Sequence, residues 1–253
     1  MIRALLSGAL AVALFLPAPV DAKERASHLC SVAAFGDSIT WGAYASYNRV
    51  TEFTSIKPAL AHLVGEEDTS YPGELAHLLH VPVCNYGVPS ELALHGLPRL
   101  RKLLQVVQPR IIVLLEGIND LASDRPAGDI LRDLREMVRV ARHHGVRPLL
   151  ATLVPTYYPA RHAKHFLNDL VPPFNYAVRQ LAGHEHVTLA DLAWAFRHDP
   201  RGGKLTVDYL HPNDAGYRLM ARTVGAAIRG HRLLGRGKTG RAGKGKTHRG
   251  SFP

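Results

Sequence analysis

Three residues from distant parts of this chain have the types needed for nucleophilic chemistry: Ser38 in Phe35-Gly36-Asp37-Ser38-Ile39-Thr40, and Asp208 with His211 in Asp208-Tyr209-Leu210-His211-Pro212-Asn213. Acyl transfer by serine requires a base to take the hydroxyl proton, an acid to orient that base, and donors for the oxyanion that forms. Asp208 and His211 stand three apart in a turn before a helix. At that spacing the carboxylate can accept the imidazole Nδ1 proton while Nε2 faces Ser38. Pro212, suited to a helix start, fixes His211 at the boundary. Each stretch also has a plainer reading taken alone. Gly-Asp-Ser is ordinary turn chemistry, and residues 208–213 read as a capped helix entry.

The elements that must position these residues alternate between strand and helix. A first strand, 31–35, runs into Gly36 and the serine. Residues 42–69 are mixed and polar, with an acidic loop at 65–68, and read as an insertion. A helix starts at Tyr71-Pro72, with Leu75, Leu78 and Leu79 on one face. A second strand, 81–86, ends at Gly87, and a helix over 92–107 is stopped by Gln108-Pro109. A third strand is read over 110–115, where Arg110 leads into a continuous apolar run, as a central strand buried on both faces should have, and it is followed by Glu116-Gly117-Ile118-Asn119-Asp120. A helix over 129–144 carries Arg132, Arg135, Arg139 and Arg142 along a solvated side. A fourth strand (148–154), a long loop (155–173), a short helix (174–181), a fifth strand (186–192) and a last helix (215–228) follow. This pattern predicts an α/β fold: a three-layer α/β/α sandwich on a parallel sheet of about five strands. Ser38, Gly87, Asn119 and the Asp208/His211 pair each follow a predicted strand. In a parallel sheet those ends share one edge, where open α/β sheets place their chemistry.

Four segments together resemble the SGNH, or GDSL, hydrolase family: Gly36-Asp37-Ser38-Ile39, Asn85-Tyr86-Gly87, Gly117-Ile118-Asn119-Asp120, and 208–213 with Gly216-Tyr217. They fall in the family's order and cover the chain from about residue 30 to 228. The resemblance implies a flavodoxin-like sandwich and metal-free ester hydrolysis through an acyl-enzyme, with no cofactor. It implies Ser38 as nucleophile, His211 as general base and then acid, and Asp208 as its orienting partner. The backbone N–H groups of Ser38 and Gly87 and the side-chain amide of Asn119 would form the oxyanion hole. The chain departs from the family at Ile39, where Leu is usual, and at Val88-Pro89-Ser90, where many members carry Ser-Gly and where Pro89 should stiffen the rim. Residues 45–69 are longer than in minimal members and read as a partial lid or wall.

Composition bounds the setting. Residues 4–16 form an uncharged apolar run behind Arg3, with Val20-Asp21-Ala22 at a cleavage position, so 1–22 read as a signal peptide for a secreted or periplasmic protein. Residues 23–230 form the hydrolase domain and 231–253 a Gly/Lys/Arg-rich tail expected to be disordered. The formal charge of +10 resides largely in that tail: residues 229–253 hold eight of the 31 Lys and Arg and no acid. Without it and without Arg3 and Asp21, 22 basic residues face 20 acidic ones, which argues against a specific nucleic-acid partner. The tail is either a tether to anionic polymer or lipid or a solubilising end. Cys30 and Cys84 allow one disulfide or two buried thiols. The pairs His143-His144, His162 with His165, and His184 with His186 lack a third ligand at metal spacing, so no metal is expected. The expected partner is a small-molecule, lipid or carbohydrate ester met by a monomer. The rival readings are an envelope carbohydrate O-deacetylase or acyltransferase using the same residues, and a non-catalytic polyanion-binding module.

Overall fold

A computed structural model describes residues 30–47 and 63–234. The leader read at 1–22, the middle of the insertion at 48–62 and the basic tail from 235 lie outside the described residues. The elements run β1 (Val32–Gly36), α1 (Ser38–Trp41), α2 (Tyr71–Leu79), β2 (Val83–Gly87), α3 (Ala93–Val106), β3 (Ile111–Leu115), α4 (Ile118–Ala122) and α5 (Ala127–His143). Then come β4 (Arg147–Ala151), α6 (Leu167–His184), β5 (Thr188–Ala190), α7 (Leu192–His198), a 3₁₀ turn (Gly202–Leu205) and α8 (Asp214–Gly230). The five strands form one parallel sheet in the order β2-β1-β3-β4-β5, the α/β architecture expected from the alternation. One helical layer holds α2, α7 and α8, and the other α3, α5 and α6. Cys30 and Cys84 are joined as a disulfide, with Cα atoms 5.7 Å apart. Among the described residues no helix is long and apolar enough to cross a membrane.

β1, β2 and β3 are buried along their whole length, because helices cover both faces and every residue meets apolar neighbours. Their register sets the site. Gly36 lies opposite Gly87 on one side and Leu115 on the other, so three strands end level at the carboxyl edge. The strand order reverses on either side of β1, the crevice where doubly wound sheets bind ligands. Two glycines permit the close approach there. A Cβ on Gly36 would stand 2.3 Å from the Leu115 carbonyl, and one on Gly87 2.0 Å from the Trp41 backbone nitrogen.

Some boundaries differ from the sequence reading. The loop expected at 155–173 gives way to helix at Leu167, although Pro172 and Pro173 lie inside α6. Leu167, Val171, Phe174 and Val178 are all buried on one stripe, and that burial outweighs the backbone bonds lost at the prolines. The fourth strand stops at Ala151 because the Asn175 side chain takes over from the ladder: Leu153 N–H donates to Asn175 Oδ1 (2.7 Å), and Asn175 Nδ2 donates to the Leu153 carbonyl (2.9 Å). Asp208 and His211 do not follow the fifth strand directly, since α7 and the 3₁₀ turn intervene. α7 starts where Asp191 accepts from the Trp194 N–H at 3.0 Å.

Asp37 turns β1 into α1. It is fully buried, and its Oδ1 accepts the Ile39 N–H at 2.9 Å as the N-cap, while Oδ2 has no partner. Burial raises its pKa to about 7 against the cap bond, with the nearby carboxylates of Glu91 and Asp120 adding to the rise. The native state therefore holds a proton that the unfolded chain releases near pH 4, and stability falls as pH rises from there to about 7. Asn keeps the cap without titrating. The stability gained by Asp37→Asn over the wild type, read from urea unfolding, should therefore grow between about pH 4 and 7 and level off above. A gap independent of pH would contradict this.

Candidate active site

Ser38 opens α1, a helix of only four residues closed by Gly42 in the left-handed region at φ 97°. At the first helical position its N–H has no intrahelical acceptor. Its Oγ lies 2.9 Å from His211 Nε2. His211 Nδ1 lies 2.7 Å from Asp208 Oδ2, and Asp208 Oδ1 accepts the backbone N–H groups of His211 (2.8 Å) and Leu210 (3.3 Å). The aspartate thus folds its own turn and holds the imidazole at once. Burial alone would raise the Asp208 pKa, but the backbone N–H and imidazole of His211 outweigh it and keep the carboxyl below its ordinary range. It therefore stays ionised opposite Nδ1 at neutral pH.

The turn is anchored on both sides. Val207 N–H donates to the His211 carbonyl (2.9 Å), Asn213 caps α8 through the Gly216 N–H (3.1 Å), and Asn213 Nδ2 donates to the Lys204 carbonyl (2.8 Å). Tyr217 is fully buried and donates from its hydroxyl to the Ala43 carbonyl at 2.7 Å, so α8 holds the segment just after the serine. Tyr209 adopts a left-handed φ of 72° between Asp208 and His211, a conformation in which a non-glycine residue costs free energy.

Asn119, the second residue of α4, donates from Nδ2 to the Glu91 carbonyl at 3.0 Å, which places its amide beside the segment after β2. Gly117 before it has φ 121°, open only to glycine. The Gly87 N–H is differently placed from the expectation of a free donor: it donates to Asn85 Oδ1 at 3.0 Å, inside its own strand end. Asn85 Nδ2 in turn donates to the Trp41 carbonyl at 3.2 Å. Gly87 is glycine because the Trp41 backbone packs against it. Three residues on, Ser90 is exposed with φ 62°. Its segment is pinned by Val88 N–H to the Gly36 carbonyl (2.8 Å), Glu91 N–H to the Val88 carbonyl (3.1 Å) and the Asn119 amide. Nothing in a serine's identity signals a left-handed backbone, so the sequence offered no pointer to it.

Asp120 accepts from the Ala93 N–H (2.9 Å) and pairs with Arg125 (2.7 Å), which also holds Asp133 at 2.5 Å. It shapes the loop. Arg99, unremarked in the sequence, donates from Nε to Glu91 Oε1 (2.7 Å) and from a terminal nitrogen to the Tyr86 carbonyl (3.0 Å). On the other side of His211, Tyr44 is 58% exposed with its ring 5.5 Å from the imidazole, and Tyr209 is 43% exposed. Tyr158 is buried beneath His162, stacked at 4.5 Å, and lies 5.9 Å from the Tyr209 ring. The Tyr157 N–H donates to the Tyr209 carbonyl at 2.9 Å, so the 155–166 loop is fastened to the Asp208/His211 turn. Among the described residues no three His, Cys, Asp or Glu are grouped to hold a metal ion.

The fold recurs among solved structures at low identity. A lipase/acylhydrolase from Enterococcus faecalis superposes with a TM-score of 0.63 at 20% identity, covering 80% of this chain and 96% of its own. The acetyl xylan esterase AlAXEase gives 0.60 at 19% (78% and 98%), and the aryl esterase of M. smegmatis 0.60 at 19% (79% and 98%). No curated protein matches the chain. The model of the GDSL-like lipase/acylhydrolase family matches residues 34–219, a span that includes the serine elbow, the Asn119 loop and the Asp208/His211 turn, and the chain belongs to that family.

Proposed function

We propose that the protein is a serine carboxylester hydrolase in which Ser38, His211 and Asp208 act as one unit. The observation that carries this reading is the hydrogen-bonded series from Ser38 Oγ through His211 to Asp208, at 2.9 and 2.7 Å. His211 Nε2 takes the serine proton as Oγ attacks the ester carbonyl. The Asp208 carboxylate stabilises the imidazolium, which then protonates the departing alcohol. Water, activated by the same nitrogen, releases the acid from Ser38. The oxyanion lies against the Ser38 N–H and the Asn119 amide, which has one N–H committed to Glu91 and a second to offer. Gly87 joins them only if its N–H leaves Asn85. Ser38→Ala should lower kcat by about 10⁴ or more, and Asn119→Ala by ~10² to 10³. Near-normal ester hydrolysis in folded Ser38→Ala, or failure of a fluorophosphonate to label Ser38, would overturn the assignment.

A second reading narrows the alcohol to a carbohydrate, so that the enzyme acts as an O-deacetylase. The leaving group departs toward the imidazole that protonates it; the exposed Tyr44 has its ring 5.5 Å from that imidazole, and Tyr209, also exposed, stands two residues before His211 in the same turn. Open rings with polar tips suit a sugar better than an enclosed apolar pocket would. An acetyl xylan esterase among the structural neighbours agrees with this reading. Tyr209→Asn keeps a residue that tolerates the left-handed backbone and removes the ring. The ratio of kcat/KM for xylobiose hexaacetate to that for ethyl acetate should fall about three- to tenfold. An unchanged ratio in active enzyme would contradict the sugar reading alone.

We read the setting as extracytoplasmic, with 1–22 as export signal and 231–253 as a tether to anionic polymer or lipid. The enzyme itself acts as a monomer.

A further inference from the structure

Beneath the serine elbow lies a cluster of acids that the ester chemistry does not use. Glu116, directly after β3, is 1% exposed, and neither of its carboxyl oxygens receives a hydrogen bond. Glu91 is buried as well, and its carboxylate is gripped through both oxygens by Arg99. The two acids converge over Gly96 of α3. A Cβ built there would stand 3.2 Å from Glu116 Oε1 and 3.3 Å from Glu91 Oε2. A side chain at 96 would press on both acids and on Met137.

One guanidinium cannot neutralise two carboxylates in a dry core. Arg99 is already spent on Glu91, on the Tyr86 carbonyl and, at 3.5 Å, on the Gly36 carbonyl, and it lies over the Phe35 ring. An ionised Glu116 would therefore be a buried charge without a donor. Burial first, then the charges of Asp37 and Glu91, push its pKa well above the ordinary carboxyl range, with Arg99 pulling weakly the other way. As a neutral acid, Glu116 is a donor, and the acceptor within its reach is the Glu91 carboxylate.

We propose that Glu116 is a positioning residue for the ester chemistry: its carboxyl O–H donates to the Glu91 carboxylate and so fixes the 88–91 segment against which Asn119 is set. The link runs from β3 through the Glu91 side chain to the Glu91 carbonyl, which accepts the Asn119 amide. This rests on Asn119 as an oxyanion donor. The titratable and charged groups facing the pair are Asp37 from the elbow, Arg99 from α3, Asp120 from α4 through Asp37, and Tyr71 from α2. Loss of the Glu116 proton at high pH sets two carboxylates against each other, loosens the segment and lowers kcat.

The test is the pH dependence of kcat and KM for ethyl acetate, followed from about pH 6 to 10, in wild type, Glu116→Gln, Glu116→Leu and Asn119→Ala, with folding checked by circular dichroism. Glutamine supplies an N–H donor that does not titrate. Glu116→Leu should lose about ten- to a hundredfold in kcat with KM little moved, as expected for misplaced reacting groups. Glu116→Gln should recover most of that loss and lack the alkaline fall of the wild type. A folded Glu116→Leu with wild-type kcat, or a Glu116→Gln with the wild-type alkaline limb, overturns the proposal. If Glu116→Leu does not fold, the Glu116→Gln profile decides. Unchanged kcat in Asn119→Ala removes the oxyanion reading itself, whereas a fall there with none in Glu116→Leu removes only the role of Glu116.

Discussion

The hydrogen bond between Ser38 Oγ and His211 Nε2 joins residues 173 apart, and the rest of the structure is arranged so that it can form. The serine leaves the strand at the point where the sheet reverses its order, and the histidine arrives just ahead of the last helix. α8 packs on α2 and reaches the serine side through Tyr217, whose hydroxyl donates to the Ala43 carbonyl. Two flexible segments could not hold a bond of this kind against the entropy of ordering them. Here each partner is fixed separately: Ser38 by the Asp37 cap and Gly42, and His211 by the bonds from Asp208 and the anchored turn.

Close backbone approach is the second constraint. At the carboxyl edge the chain passes within atomic contact of itself at Gly36, Gly87 and Gly216, where a Cβ would meet Leu115, Trp41 and Leu205 backbone atoms at 2.0–2.4 Å. The cost of this crowding is a shortage of room for solvent beneath the elbow. Asp37 and Glu116 are buried there, with oxygens that lack partners. Protonation relieves them, since burial holds both carboxyl pKa values above the ordinary range.

Much of this was legible in the residues. The apolar run that follows Arg110 and the strand-helix alternation were enough for a parallel sheet, because burial on both faces leaves an unmistakable pattern. The meeting of Ser38 with Asp208 and His211 was expected from strand ends sharing an edge; the serine does leave a strand end, but α7 and the 3₁₀ turn stand between β5 and Asp208. What stayed hidden depends on contacts no local pattern encodes. The start of α6 seven residues before its expected position rests on Leu167 and Val171 packing into the core despite two prolines. Gly87 reads as a donor in the sequence, but that its N–H bonds Asn85 and that the Trp41 backbone packs against it could not be read there. Ser90 carries a left-handed backbone with no glycine to announce it. Glu116 gave one faint signal, an acid directly abutting a buried strand, whose meaning appears only with Glu91 and Arg99 around it.

The serine unit is tested most directly by rapid acid quench of enzyme mixed with excess p-nitrophenyl acetate, followed by peptide mass spectrometry. An initial burst of p-nitrophenol should be matched by acetyl on Ser38, formed at the burst rate and removed as turnover ends. Acetyl on a different residue, or turnover with none on Ser38 at any quench time, would contradict it.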